Sequence, residues 1–460
     1  MSEESNKYTE LVREILDKKD RQSLAYVYSY GCQQNVSDGE HLAGRLSAMG
    51  YGITYDMNEA DIILLNTCAV RENAELKFFG NLGGLKALKE KNPELIIAVC
   101  GCMVQQGIAA EKIKKTYRQV DIVFGTFAFG EFPKLLYTVL SEHKRVFDIS
   151  ESARICTDES VIPVRSCSYK AGVSVMYGCD NFCSYCIVPY VRGREVSREP
   201  EAILSEVRSL AESGCKEIML LGQNVNSYGK GLSPKINFSE LLRRINEIDG
   251  DFRVRFMSPH PKDADKEFMD TVAGCGKICK SLHLPLQSGS SRILKAMNRR
   301  YTAEEYYEKV SYMRSLIPDF SITTDIIVGF PGETGEDFEQ TLDMIKKVRF
   351  DNIYSFIYSR RNGTAAAAMD DPVSDEEKGL WFREMLALQR EISTEYYKRF
   401  LGKTMKVLFD GESRREGFIS GKSDEFVIVE AKGSPSLIGS FKNVLITETH
   451  NWAVCGEITD

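Results

Sequence analysis

The 460-residue sequence has no apolar run approaching the length of a membrane span, so no membrane-crossing helix and no membrane partner are expected. Its opening, Met-Ser-Glu-Glu-Ser-Asn-Lys, lacks the apolar core of a signal peptide, and the expectation is a cytoplasmic protein. It also lacks a surplus of positive charge. With 59 Lys and Arg against 66 Asp and Glu the formal net charge is −7, so composition alone points to no nucleic-acid partner and any RNA binding must rest on local patches. Histidine is scarce at five, and none lies between His143 and His260. Cysteine, by contrast, is plentiful. Thirteen cysteines, an odd number in a chain without an export signal, argue for thiolate chemistry in a reducing cytosol, and so for an oxygen-sensitive protein, rather than for a disulfide framework. Hydrophobic content of 43% with 27% charged residues is ordinary for a globular chain, and the length predicts two or three domains.

The chemistry concentrates in Tyr177 to Tyr190, where Cys179, Cys183 and Cys186 fall within eight residues. A 4Fe-4S cube takes a thiolate on each of its four irons. A trio leaves one iron open to a ligand that is not protein. A zinc knuckle would need a fourth Cys or His at short spacing, and the sequence offers neither between Cys186 and Cys215. The C-x-x-x-C-x-aromatic-C pattern, with Tyr185 before the last Cys, resembles the signature of the radical S-adenosylmethionine (radical-SAM) enzymes. That resemblance implies a 4Fe-4S cluster on Cys179, Cys183 and Cys186, SAM on its open iron, and hydrogen abstraction by a deoxyadenosyl radical, chemistry that side chains cannot supply.

Residues 1–22 read as a polar tail with one short helix at most, ahead of an amino-terminal domain at 23–150. In that domain three strand-like runs end at Gly31-Cys32, at Asn66-Thr67-Cys68 and at Cys100-Gly101-Cys102. Ser37-x-x-Glu40 reads as a capping box opening the first helix, Gly50 as its stop, and 72–91 as a second helix. Strand-helix-strand spacing puts Cys32, Cys68 and Cys102 past the carboxyl ends of parallel strands, which right-handed crossovers bring to one sheet edge. Spacing does not choose between Cys100 and Cys102. The words Gly31-Cys32-Gln33-Gln34-Asn35, Asn66-Thr67-Cys68 and Gly101-Cys102 resemble the methylthiotransferase branch of the radical-SAM enzymes. There a flavodoxin-like domain holds a second, auxiliary 4Fe-4S cluster through three cysteines. The resemblance selects Cys102, with Cys100 as runner-up.

A radical-SAM domain is expected over 165–400, hinge and long helix included. Six strand-helix beats between Cys167 and Arg361 predict a parallel sheet, and they match a partial (β/α)6 barrel. Chemistry in such sheets sits on loops past the strand carboxyl ends. The family resemblance implies that Tyr185, Gln223, Ser258, Gln287 and Asp325 line the SAM site, although Gly222-Gln223-Asn224 departs from the Gly-Gly-Glu common elsewhere among radical-SAM enzymes. His260, His283 and the cysteines Cys156, Cys167, Cys215, Cys275, Cys279 and Cys455 read as structural. Arg192 and Arg198, just beyond the cysteine loop, read as phosphate contacts.

After a hinge at 362–375 and a long helix, residues 402–460 offer five short strands, read as a small antiparallel β-barrel resembling the TRAM domain of tRNA-modifying enzymes. Seven Lys and Arg against nine Asp and Glu there leave RNA contact to Arg414, Arg415 and one barrel face. Asn66 to Glu72, Ile357-Tyr358-Ser359 and Gly363-Thr364-Ala365 resemble most the branch that adds a methylthio group to carbon 2 of N6-isopentenyladenosine at tRNA position 37. This implies two 4Fe-4S clusters, one SAM as methyl donor and one as radical source, and no catalytic side chain beyond the cluster ligands. The implied partners are a tRNA anticodon stem-loop, a sulfur donor and a reductant such as flavodoxin or ferredoxin; a monomer is expected. The alternatives are the same reaction on N6-threonylcarbamoyladenosine or on a ribosomal-protein aspartate, or a non-catalytic RNA-binding iron-sulfur protein.

Overall fold

The computed structural model describes residues 3–69, 72–150 and 161–459; Cys156 and the Val70-Arg71 part of the Asn66 to Glu72 word lie outside them. The chain forms two compact units, one of Met1–Ser166 with Tyr177–Asp180 and Ile187–Arg198, the other of Cys167–Met176, Asn181–Cys186 and Glu199–Asp460. Among the described residues no helix is long and apolar enough to cross a membrane.

The first unit is built on a parallel sheet whose strands lie in the order Gly52–Ile53, Leu24–Ser29, Ile62–Thr67, Ile96–Gly101, Ile122–Phe124, Val146–Asp148. Ile62–Thr67 and Ile96–Gly101 are buried at every position, as central strands covered on both faces must be. Ile62 and Leu64 pack with Leu42 and Leu46 on one face, Ile63 and Leu65 with Phe78 and Leu82 on the other. Two stretches differ from the sequence expectation. Residues 1–22 are no tail, because helix Glu3–Leu16 buries Val12 and Leu16 in the first of these cores. Its apolar positions Tyr8, Leu11, Val12 and Ile15 recur at helical spacing within a polar sequence, an amphipathic pattern that average polarity conceals. Ser37 does not open a helix either: the helix spans Gln33–Ala48 with Cys32 at its N-cap, so Ser37 lies inside it, buried. Gly50, at φ 101°, follows the helix end as expected.

In the second unit Lys170–Ser174, Glu217–Leu221 and Arg253–Phe256 form one run of parallel strands, and Ser281–His283, Ser321–Val328 and Asn352–Ile357 another. Val254 joins them: its amide donates to Lys277 O (2.8 Å) and its carbonyl accepts from the Cys279 amide (3.0 Å). The result is a six-beat partial (β/α) barrel with helices outside. Two of those helices open with capping boxes, Thr302 with Glu305 and Thr334 with Asp337. The long helix Asp375–Lys398, capped by Ser374, buries Met385 and Ile392 but leaves Leu380 exposed.

The last five strands close into a barrel. It is not wholly antiparallel, since Ile428–Lys432 and Val454–Ile458 run parallel, with Val429 opposite Val454. Barrel closure forces this pair, because the strand Phe441–Thr449 returns along Thr404–Glu412 and so reverses the chain once more before the last strand.

Candidate functional site

In the first unit, strand order reverses between Leu24–Ser29 and Ile62–Thr67, and open parallel sheets bind ligands beyond the carboxyl ends at such a reversal. Cys32 lies beyond one of these strands, Cys68 directly after the other, and Cys102 directly after the neighbouring Ile96–Gly101. Asn35 ties them together. Its Oδ1 accepts from Cys32 Sγ at 3.7 Å and Cys102 Sγ at 3.8 Å, while its Nδ2 donates to Thr67 O (2.7 Å) and Tyr30 O (3.0 Å). The Asn66 side chain donates to Asn35 O at 2.8 Å. A Cβ on Gly31 would collide with the Cys68 side chain, and one on Gly101 with Asn66 Oδ1 and Thr67 O; both residues have positive φ.

Cys100 and Cys102, two apart, would share a face in a regular strand. Gly101, at φ 103°, turns the chain between them. Cys100 packs into the apolar core with Leu42 and Leu46, whereas Cys102 joins Ala69, Ile187 and Val191. The hydrogen bond with Cys68, followed by burial, raises the Cys32 thiol pKa, and burial pushes Cys102 up to about 11 although Arg192 pulls it back. Thiols that oppose one another's ionisation in a buried nook are what a cationic cluster relieves, and the trio fits an auxiliary 4Fe-4S cluster on this count.

Arg192 is not a surface phosphate ligand. It is buried, with Nε 3.0 Å from Cys102 Sγ, Nη2 donating to Asn35 Oδ1 at 2.7 Å, and an ion pair to Asp38 Oδ2 at 2.6 Å. Arg198 is buried as well, at 5% exposure, which also removes it as a surface phosphate contact. Of that basic run it is Arg194 that reaches the surface, 3.4 Å from Asp180.

Of the second trio, one cysteine falls in the first unit and two in the second. Cys179 belongs to the first, its amide donating to Gly193 O at 3.1 Å. Cys183 and Cys186 belong to the second and are joined by a hydrogen bond from the Cys186 amide to Cys183 O (2.9 Å). Asn298 Nδ2 holds this turn through Asn181 O (3.1 Å) and Phe182 O (3.0 Å). Buried Arg299 places Nη1 3.6 Å from Cys183 Sγ, its Nη2 on Pro285 O (2.7 Å) and its Nε on the Tyr301 hydroxyl (2.9 Å). Sequence reasoning missed Asn298 and Arg299, since a polar run after a short helix reads as a solvated end. No disulfide is formed by the twelve described cysteines.

Tyr185 is half-buried beside Ile293, Met297, Phe330 and Ala366. Gln223 lies in the turn after Glu217–Leu221, and exposed Ser258, at φ 62°, accepts from the Val225 amide at 3.4 Å, joining two loops. Gln287, at φ 75°, donates its amide to Asp325 O (2.8 Å), and its Oε1 is buried with no hydrogen-bond partner among the described residues. An unpaired buried acceptor fits a site that receives a donor from SAM. Asp325 lies within the strand Ser321–Val328, 3.4 Å from His283 Nε2. His260 is buried and accepts from the Lys262 amide at 3.2 Å; burial lowers its pKa, which keeps the imidazole neutral. Arg414 and Arg415 stand in the exposed turn between two barrel strands, Arg415 over the Phe418 ring at 3.9 Å.

Glu333 follows the Val328 to Gly332 loop. It is 1% exposed, and Oε2 accepts from the Gly329 and Phe330 amides. Burial raises its pKa from 4.5 to about 7 against those two hydrogen bonds. A carboxyl that keeps its proton longer when folded is fully stabilising below the unfolded pKa, and its contribution is lost as pH rises through the folded one. Glu333→Gln is expected to flatten the decline in melting temperature between these pH values and to stabilise the protein at pH 8, by at most about 3 kcal/mol. Parallel thermal melts of the two proteins across this range measure it.

Residues 24–125 match the profile described as Uncharacterized protein family UPF0004, residues 173–345 the Radical SAM superfamily, and residues 398–459 the TRAM domain. Two structures of the radical S-adenosylmethionine methyltransferase TsrM from Kitasatospora setae share the fold. One, with tryptophan and a SAM analog, has TM-score 0.55 at 14% identity and covers 75% of this chain and 74% of its own. The other, with cobalamin and a [4Fe-4S] cluster, has TM-score 0.54 at 13% identity over 87% and 81%. Fold and site thus define a radical-SAM enzyme with an amino-terminal parallel-sheet domain and a TRAM barrel. A tRNA-2-methylthio-N(6)-dimethylallyladenosine synthase of Thermoanaerobacter pseudethanolicus is 48% identical over 100% of this chain and 98% of its own length. One of Acetivibrio thermocellus is 49% identical over 96% and 92%. The chain belongs to this family of radical-SAM tRNA methylthiotransferases, which use SAM and carry two [4Fe-4S] clusters.

Proposed function

We propose that the protein adds a methylthio group to carbon 2 of N6-isopentenyladenosine at tRNA position 37. The observation that carries this reading is the meeting of Cys32, Cys68 and Cys102 at the sheet reversal, with Cys32 and Cys102 sharing Asn35 Oδ1. It supports a sulfur-handling centre additional to the one that Cys179, Cys183 and Cys186 would hold. When bound, the two clusters and SAM supply the methyl group, the sulfur and the radical. The chain's own residues hold and orient these groups. Asn35 fixes two of the thiols, Arg299 and Asn298 hold the Cys183 turn, and Tyr185, Gln223, Ser258, Gln287 and Asp325 line the SAM side. No His or carboxylate base is invoked, because a ring C–H is not acidic enough for one. An anticodon loop suits a recessed site, since its base unstacks at low cost.

Arg414 and Arg415 take the RNA contact on the TRAM barrel. A reductant of the flavodoxin or ferredoxin class, a separate sulfur donor, a cytoplasmic setting and a monomeric state complete the proposal. The test is an anaerobic assay with SAM, reductant and sulfide on three substrates: tRNA bearing N6-isopentenyladenosine, tRNA bearing N6-threonylcarbamoyladenosine, and ribosomal protein. Nucleoside and peptide mass spectrometry are expected to find the methylthio group on the first alone. Product on either of the others instead would reassign the substrate.

A further inference from the structure

Arg192 holds three partners at once and is 7% exposed. Its Nε lies 3.0 Å from Cys102 Sγ, and Nη2 reaches Asn35 Oδ1, the atom that also faces both Cys32 and Cys102. Asp38, 6% exposed, lies 2.6 Å away and is itself held through Oδ1 by Gln34 Nε2 at 3.1 Å. A rigid guanidinium fork meets a thiol, an amide and a carboxylate in fixed directions, which a lysine ammonium does not. Burying such a charge is costly unless negative charge surrounds it. Asp38 supplies part, and a set of ligated thiolates supplies more.

We propose that Arg192, with Asp38 as its counter-charge, sets the reduction potential of the cluster held by Cys32, Cys68 and Cys102; the inference rests on the reading of that trio given above. Reduction would add one negative charge to a cluster ligated by Cys102, whose Sγ lies 3.0 Å from Arg192 Nε, in a site where low polarity strengthens every charge interaction. Hydrogen bonds to cluster sulfur and nearby positive charge favour the reduced form, and a nearby carboxylate opposes it. The two residues therefore act in opposite directions on one equilibrium. Arg192 is a positioning residue here, acting through Cys102.

The test uses the full chain with Cys179, Cys183 and Cys186 replaced by alanine, reconstituted anaerobically so that one cluster titrates, with the midpoint followed by electron paramagnetic resonance. Arg192→Met is expected to lower the potential, Asp38→Asn to raise it, and Arg192→Lys to fall between Arg192→Met and the parent. Opposite shifts support the proposal; shifts of the same sign, or none, overturn it. If Arg192→Met fails to retain iron, Asp38→Asn decides, a rise supporting the proposal and an unmoved potential overturning it. A parent chain without iron would overturn the cluster reading itself and this inference with it, whereas iron with unmoved potentials overturns the role of Arg192 alone.

Discussion

Replacing Cys32, Cys68 and Cys102 together with alanine is expected to halve the iron of the reconstituted protein, removing about four of about eight irons, while SAM cleavage to deoxyadenosine persists. Methylthio transfer should fall to the level of the enzyme-free control. The matching change at Cys179, Cys183 and Cys186 removes the other half and abolishes deoxyadenosine as well. Cys100→Ala provides the internal contrast. Its thiol is wholly buried among Leu42, Leu46 and Ile122, so truncation costs the stability of a small core cavity, roughly 1 kcal/mol, and leaves iron content at the parent value. Iron counting beside a deoxyadenosine assay separates all three variants. Unchanged iron after loss of the first trio would remove the auxiliary cluster from the account.

Much of this site was legible because the cysteines mark a period. Cys32, Cys68 and Cys102 recur at about one strand-helix-strand unit, and parallel topology turns that spacing into a shared edge. What spacing could not do was separate Cys100 from Cys102, since strand alternation gives both the same face. The positive φ of Gly101 separates them, and a glycine's φ is not written in the sequence. Cys32 also hid a helix start. Ser37 and Glu40 carry a capping-box spacing, yet the cap falls on Cys32, at the start of helix Gln33–Ala48.

Charged residues were the least legible. Arg192 reads as solvated because its neighbours Gly193 and Arg194 are loop-like, and nothing nearby announces a partner. Asn35 lies 157 residues away along the chain. Asn298 and Arg299 were missed for the same reason, being tied to a loop more than a hundred residues earlier. Alternating apolar runs located all six strands of the middle segment, but not the buried charges that open two of them.

Those charges carry the second large effect. Glu217 and Arg253 are the first residues of their strands, and Arg255 sits two further on, all three at most 6% exposed. Glu217 Oε2 accepts from Arg253 Nε at 2.9 Å and from Arg255 Nε at 2.8 Å. Beyond the carboxylate, the two arginines reach into the TRAM barrel. Arg253 meets Asp424 Oδ1 (3.0 Å) and Lys422 O (2.9 Å), and Arg255 meets Asp424 O (3.2 Å) and Ser423 O and lies over the Phe426 ring. The small barrel is therefore fastened to the amino ends of the parallel strands, across the sheet from the loops that follow their carboxyl ends. Glu217→Ala leaves two guanidiniums buried against one remaining carboxylate and is expected to destabilise this unit by about 3–5 kcal/mol. Burial alone would raise the pKa of Glu217, but Arg255 and Arg253 outweigh it and lower it to about 2. The stability it contributes is thus present above its unfolded pKa and is lost as pH falls through the folded value. Replacing Glu217, Arg253 and Arg255 together by Leu, Met and Met removes the stranded charges and should recover most of the loss, which separates the cost of an unpaired charge from the worth of the network. Melting curves of the parent, the single and the triple variant read the effect directly. A Glu217→Ala protein that melts with the parent would mean that this carboxylate does not help to hold the barrel, which Lys170 to Asp410 and Lys406 to Asp251 also join to the strands.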